Sequence, residues 1–325
     1  MGSTEPGAVT IGYWLSSEEH PPGALVDNAV RAEEAGFDAA MISDHFHPWV
    51  PRQGNSPFVW AVLGAIARAT TTLRVGTGVS APVHRIHPVV LAQAAATVEV
   101  MIPGRFFLGL GTGERLNEQW AAQRWPRAGE RREMLEEAVD VIRRLFAGKN
   151  VIQEGPHWRV EQAQLYTRPD RPPPIMIAVS GWRSAEMAGR LGDGMIGVAA
   201  EPKHVEAFEA AGGGGKPRIG QVHVCWAEDE AGARRTAREW WPQGALPAPL
   251  LSELSQPSQF EAAARMVTED DVARSVVCGP DPERHVDAVA RFVAAGFTEV
   301  YVHQVGPDQE GFLRFYRDAV LPRFR

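Results

Sequence analysis

A carboxylate, two imidazoles and an indole fall together in Asp44-His45-Phe46-His47-Pro48-Trp49. Those groups supply proton donors, proton acceptors and a flat aromatic wall. That inventory suits proton or hydride chemistry on a planar cofactor. Each residue alone is more often structural, Asp44 as a loop cap and Trp49 as a filler of an apolar gap. Their setting favours a site. The preceding apolar run, Ala39-Ala40-Met41-Ile42, reads as a buried strand. The cluster therefore stands where a strand gives way to a loop, which in a β/α barrel is the catalytic rim.

A second group, Gly109-Leu110-Gly111-Thr112-Gly113-Glu114, ends another apolar run, with Asn117 close behind. Glycines let backbone approach a ligand closely, and Glu114 and Asn117 share a face if a helix begins there. An ordinary glycine turn with Glu114 as a helix N-terminal carboxylate is the plainer alternative. Gly76-Thr77-Gly78-Val79 is small enough for a ring to lie against it, or for strands to pack closely. Ala178-Val179-Ser180-Gly181 precedes a helical pattern and offers either a phosphate seat or a capped turn. His45 with His47, and His84 with His87, lack the companions of a metal site.

The elements that must carry these groups alternate. Strands are expected at Val9–Leu15, Ala39–Ile42, Leu73–Val79, Arg105–Leu110, Pro174–Val179, Met195–Val198, Ile219–Trp226 and Glu299–Val305. Helical patterns lie between most of them, the strongest at Glu130–Leu145, where Met134, Leu135, Ala138, Val141, Ile142 and Leu145 recur at helical spacing. A small hairpin is expected around Glu154-Gly155-Pro156. Eight strands with helices predict a (β/α)8 TIM barrel, with an open doubly wound sheet as the alternative. Against the open sheet, the first strand leads into Ser16-Ser17-Glu18-Glu19-His20 and not a glycine-rich nucleotide turn.

One barrel domain accounts for residues 1–325, with 1–7 as a loose tail. Residues 241–268 depart from the repeat, carry four prolines and read as a long insertion loop near the active site. A net charge of −7 and the lack of basic runs argue against nucleic-acid binding. No stretch is apolar enough to span a membrane. Two distant cysteines, Cys225 and Cys278, read as free thiols in a reducing cytoplasm.

Ser43-Asp44-His45-Phe46-His47-Pro48-Trp49 resembles the S-D-H-F-x-P-W motif of coenzyme F420-dependent glucose-6-phosphate dehydrogenases, within the luciferase-like barrels. Gly111-Thr112-Gly113-Glu114-Arg115-Leu116-Asn117-Glu118 resembles their G-T-G-E-x-L-N-E motif, and Gly76–Val79 their third-strand segment. The resemblance covers most of the chain. It implies coenzyme F420 at the barrel mouth and hydride transfer between its C5 and a sugar or alcohol carbon. It puts His45, Trp49 and Glu114 on active-site positions, with either His45 or Glu114 as the base. It puts Asp44, Thr112, Gly113, Asn117, Ala178 and Val179 on cofactor contacts, Gly78-Val79 on a non-proline cis peptide behind the ring, and Ser180 and Gly181 near the cofactor phosphate. It also implies a homodimer. One departure weighs against a phosphosugar: Glu201 stands about where the sugar-phosphate enzymes carry a lysine, and would repel a dianion. A neutral sugar, another alcohol, or reduction run from the reduced coenzyme stays open, as does an FMN-dependent monooxygenase.

Overall fold

The computed structural model describes residues 9–325; the expected tail at 1–7 lies outside them. Among the described residues eleven strands form: β1 Thr10–Leu15, β2 Ala39–Ile42, β3 Arg74–Thr77, β4 Phe106–Leu110, β5 Val151–Glu154, β6 Arg159–Ala163, β7 Ile175–Val179, β8 Gly194–Gly197, β9 Arg218–Cys225, β10 Val276–Cys278 and β11 Glu299–Gln304. β5 and β6 make the expected hairpin. Eight of the others pair in parallel in the order β1-β2-β3-β4-β7-β8-β9-β11, and β11 returns to β1. The sheet is closed, so the open-sheet alternative falls and the (β/α)8 barrel stands.

Helices cover the outside: α1 Pro22–Ala35, α2 Val59–Ala69, α3 Pro88–Met101, α4 Arg115–Glu118, α5 Ala128–Phe146, α6 Trp182–Leu191, α7 Pro202–Phe208 and α8 Glu230–Trp240. Beyond these come α9 Ala248–Glu253, α10 Pro257–Ala263, α11 Glu269–Val272, α12 Pro282–Ala294 and α13 Gln309–Phe315. The first helix shows how local chemistry sets the bounds. Pro22 opens it, where a missing N–H costs nothing. Gly36 closes it at φ 94°, a left-handed conformation that glycine adopts freely. Among the described residues no helix is long and apolar enough to cross a membrane.

The barrel interior is packed by Trp14, Met41, Phe107, Met176, Ile196, Ile219 and Tyr301. Gly12 and Gly76 are needed beside these rings, because a Cβ at either would collide with Tyr301 or Phe107. A larger apolar layer lies between strands and helices.

Three expectations need correction. The third strand stops at Thr77, and Gly78–Val79 beyond it is a cis peptide. Residues 241–268 are not a bare loop: two 3-10 turns and helices α9 and α10 fill them. β10 was not anticipated. It takes the edge of β9 at His223–Cys225, just past the point where β8, paired at Arg218–Gly220, has left it.

Candidate active site

Three strand ends converge at the C-terminal mouth. The β2 end supplies His45 and Trp49, with ring centroids 4.9 Å apart. The β4 end supplies Glu114, whose Oε2 lies 3.6 Å from His45 Nε2. The β1 end supplies Glu18, whose Oε1 lies 3.4 Å from the same nitrogen. His45 Nδ1 faces the carbonyl of His47 at 3.2 Å. A carbonyl accepts only, so Nδ1 carries the proton and Nε2 is left to the two carboxylates. Two carboxylates around one imidazole nitrogen amount to a site that holds and shares a proton.

Asn117 fixes this arrangement. Its amide donates to Glu114 at 2.9 Å, while its oxygen accepts from the N–H groups of Phe46 at 2.9 Å and His47 at 3.3 Å. His47 is itself tied to the Leu116 carbonyl at 2.9 Å. The β2 and β4 loops are thus one hydrogen-bonded unit. Phe46 and Trp120, both about half exposed, meet beside it as a tilted pair with centroids 4.9 Å apart.

Asp44 does not face the same way. Its carboxylate is shut from solvent, paired with Arg85 at 2.7 Å and accepting from the Ser80 hydroxyl at 2.5 Å. Arg85 also donates to the Asp44 carbonyl at 3.1 Å. The buried Glu118 accepts from the backbone N–H groups of His84 and Arg85 at 2.9 and 2.7 Å. Burial pushes the Glu118 carboxyl up, against those N–H groups and Arg85. Breaking a buried pair such as Asp44–Arg85 typically costs about 3–5 kcal/mol.

The glycine-lined side is equally compact. A Cβ on Gly111 would run into Val79 and touch Ala178, so the ends of β3, β4 and β7 meet there. Thr112 and Gly113, the latter at φ 72°, form the turn into α4. Val179 ends β7. Ser180 and Gly181 follow it at the start of α6, and both of their N–H groups are already taken by the Ser184 hydroxyl, at 3.0 and 3.1 Å. Any phosphate seat there therefore rests on the N–H groups of the first helical turn beyond Gly181.

The sequence reading passed over Glu18, Glu19, His303, Arg85 and Glu118. Ser16 through His20 are all buried in spite of being polar. Burial alone would raise the Glu18 carboxyl; His45, the Ser43 hydroxyl and its own backbone N–H outweigh it and hold the group below its ordinary value. Glu19 is pushed up to about 7 by burial, against His20 and the Gly306 N–H. It meets His303 Nε2 at 2.7 Å and accepts from the Gly306 N–H at 2.9 Å. The available signal was a run of acids and a histidine directly after a strand.

A wall of apolar side chains closes one flank. Trp49, Val50, Leu116, Trp241 and Phe260 form one cluster, and Phe260 sits edge-on to Trp49 at 5.3 Å. The 241–268 segment therefore packs directly on the His45 neighbourhood.

The sequence profile of the luciferase-like monooxygenase family matches residues 8–299. The chain belongs to the luciferase-like family. Among curated members, an F420-dependent glucose-6-phosphate dehydrogenase of Microbacterium testaceum is 37% identical, over 97% of each chain. An F420-dependent hydroxymycolic acid dehydrogenase of Mycobacterium tuberculosis is 37% identical, over 99% of this chain and 90% of that one. Among solved structures, an F420-dependent secondary alcohol dehydrogenase in complex with an F420-acetone adduct superposes with a TM-score of 0.90. That match covers 98% of this chain and 99% of that one, at 29% identity.

Proposed function

We propose that this chain is an F420-dependent dehydrogenase that oxidises the CH–OH group of an uncharged sugar or secondary alcohol. The observation that carries the reading is His45 Nε2 standing 3.4 and 3.6 Å from two carboxylates beside the Trp49 ring. The relatives of similar length act with F420, and the residues present suit that coenzyme. An imidazole and a carboxylic acid flank the place for a reacting ring. Gly181 opens onto free space, with no atom within 4 Å of an added Cβ, and the N-terminal turn of α6 lies next to it for a phosphate. Gly78, Val79, Thr112, Gly113, Ala178 and Val179 would line the coenzyme and Ser180 and Gly181 would lead its phosphate to α6, while Asp44, bound to Arg85 and Ser80, and Asn117, bound to Glu114, would brace the surrounding loops. When bound, F420 supplies a carbon centre, C5, that accepts a hydride.

The chain's own part is proton handling and shape. His45 Nε2 takes the substrate hydroxyl proton, with the anionic Glu18 stabilising the imidazolium. Glu114, oriented by Asn117, holds a second exchangeable proton on the other side. The Trp49 face stabilises positive charge developing at the reacting carbon.

An uncharged substrate follows from the walls. Phe46 and Trp120, half exposed beside the site, are apolar, and Arg265 is the one cation in residues 241–268. Glu201 is spent capping α7, accepting from the Lys203 N–H at 3.3 Å. A panel of phosphorylated sugars, free sugars and secondary alcohols, followed by loss of F420 absorbance, tests the reading. Reduction with a neutral alcohol and not with a phosphosugar is expected. Failure of F420 to bind, or copurifying FMN with oxygen uptake, overturns it.

We also infer a cytoplasmic homodimer of single-domain subunits. Cys225 and Cys278 are free and buried, as suits a reducing compartment. Ala61, Ala65, Val90, Val100 and Met101 leave an exposed small and apolar strip along α2 and α3, which a second copy would cover. Sedimentation should give twice the subunit mass, and Val100→Lys with Met101→Lys should halve it.

A further inference from the structure

We propose that Ser16, Glu19, His303 and His223 form a proton path that joins the Glu18–His45 pair to a second opening, on the outside of the barrel. Direct contacts make up every step except the one from Ser16 to Glu19. Glu18 lies 3.4 Å from His45 and accepts from the Ser16 hydroxyl at 3.2 Å. The Ser16 hydroxyl also bears on the Glu19 carboxyl, drawing it down against burial. Glu19 meets His303 Nε2 at 2.7 Å, and His303 Nδ1 meets His223 Nδ1 at 2.9 Å. Ser16, Glu18, Glu19 and His303 are shut from solvent. His223 is partly exposed and lines a cleft of about 870 Å³ with Gln221, Arg274, Ser275 and Arg291.

The cleft has a topological origin. β8 leaves the edge of β9 after Gly220 and β10 joins it only at His223. Gln221 and Val222 lie in the gap, and His223 sits at its lip. Trp241 packs on both imidazoles, with centroids 5.1 Å from His223 and 4.5 Å from His303. It holds the two rings in register.

The hydrogen-bond logic allows two arrangements on the same heavy atoms. In one, Glu19 is protonated and donates to His303 Nε2, His303 Nδ1–H donates to His223 Nδ1, and His223 keeps its proton on Nε2. To release a proton, Glu19 passes it to His303 Nε2, His303 Nδ1 passes its own to His223, and His223 Nε2–H goes to water in the cleft. Glu19 is left as a carboxylate accepting from His303. Rotation of the two imidazoles restores their first arrangement, and Ser16 refills Glu19 by accepting from Glu18 while donating to Glu19. Burial pushes Glu19 up to about 7 and His303 down to about 3, so His303 rests neutral while Glu19 gives up and regains its proton near neutrality. The path gives His45 contact with solvent when ligands fill the mouth. It rests on the reading of His45 as the proton acceptor.

The test is exchange of the His303 ring N–H with water, followed by proton–nitrogen NMR on the full chain labelled in its histidines, with and without F420. In His223→Phe, exchange should slow by about tenfold or more in the F420-bound chain, and free imidazole should restore it. His223→Gln, which keeps a hydrogen bond to His303 but cannot relay, should behave like His223→Phe. In turnover, kcat should fall roughly tenfold at unchanged KM, again restored by imidazole. Unchanged exchange in either variant, or slow exchange that imidazole fails to restore in a folded variant, overturns the path. Exchange needs no substrate, so a chain that turns over no alcohol ends the functional reading without deciding this one.

Discussion

His45 is pinned through one nitrogen and offered through the other. His45→Asn should therefore lower kcat by about 10²–10⁴-fold, the usual worth of a positioned acid or base, with a thermal midpoint close to that of the parent. Steady-state rates beside a melting curve check both halves. Asn117→Ala takes a partner from Glu114 and from two backbone N–H groups. Leaving such groups unsatisfied costs about 1–3 kcal/mol, and a tenfold or larger loss of kcat/KM is expected from the misplaced Glu114. The meeting of His45, Trp49, Glu114 and Asn117 was legible in the sequence, because short motifs at two strand ends carry all four. Glu19 and His303 were not legible: they are 284 residues apart, and nothing periodic links a buried acid to a histidine on a distant strand.

At the scale of elements, the 241–268 segment forms a cap that packs on the Trp49 side of the site. Phe260 is fully buried and meets Trp49 edge-on. Phe260→Ala should cost about 3–5 kcal/mol of stability and raise KM more than it lowers kcat, which denaturant melts and rate measurements separate. The barrel strands and long helices could be read from sequence because apolar runs of four or more residues and helical spacing repeat along the chain. The cap helices could not. α9 spans 6 residues and α10 spans 7, too few for a helical period to show, and such helices form through tertiary packing more than propensity. β10, at 3 residues, is shorter than any pattern, and only the vacated edge of β9 makes it a strand.

At the scale of the whole molecule, buried titratable groups set the response to acid. His303 is held at about 3 against an ordinary 6.5, and burial also lowers His223. The unfolded chain binds more protons at these histidines, so stability rises with pH from about 3 to 6.5. Glu19, raised to about 7 from 4.5, works the other way: the folded state keeps its proton, and stability is lost as pH climbs from 4.5 to 7. The two histidines outweigh one acid, so the thermal midpoint should climb between pH 3 and 6.5. Glu19→Gln should steepen that climb above pH 4.5. Calorimetry across the range checks it, and identical slopes for both proteins would contradict the assignment.

Gln53 carries a consequence for how such a protein can diversify. Its side chain accepts from the N–H of Trp49 at 2.9 Å and donates to the carbonyl of Trp240 at 3.0 Å, one residue before the cap begins. The Trp49 loop and the start of the cap thus share a single side-chain amide. A sequence change that shifts residues 241–268 therefore also pulls on the indole next to His45, so the two loops cannot drift independently.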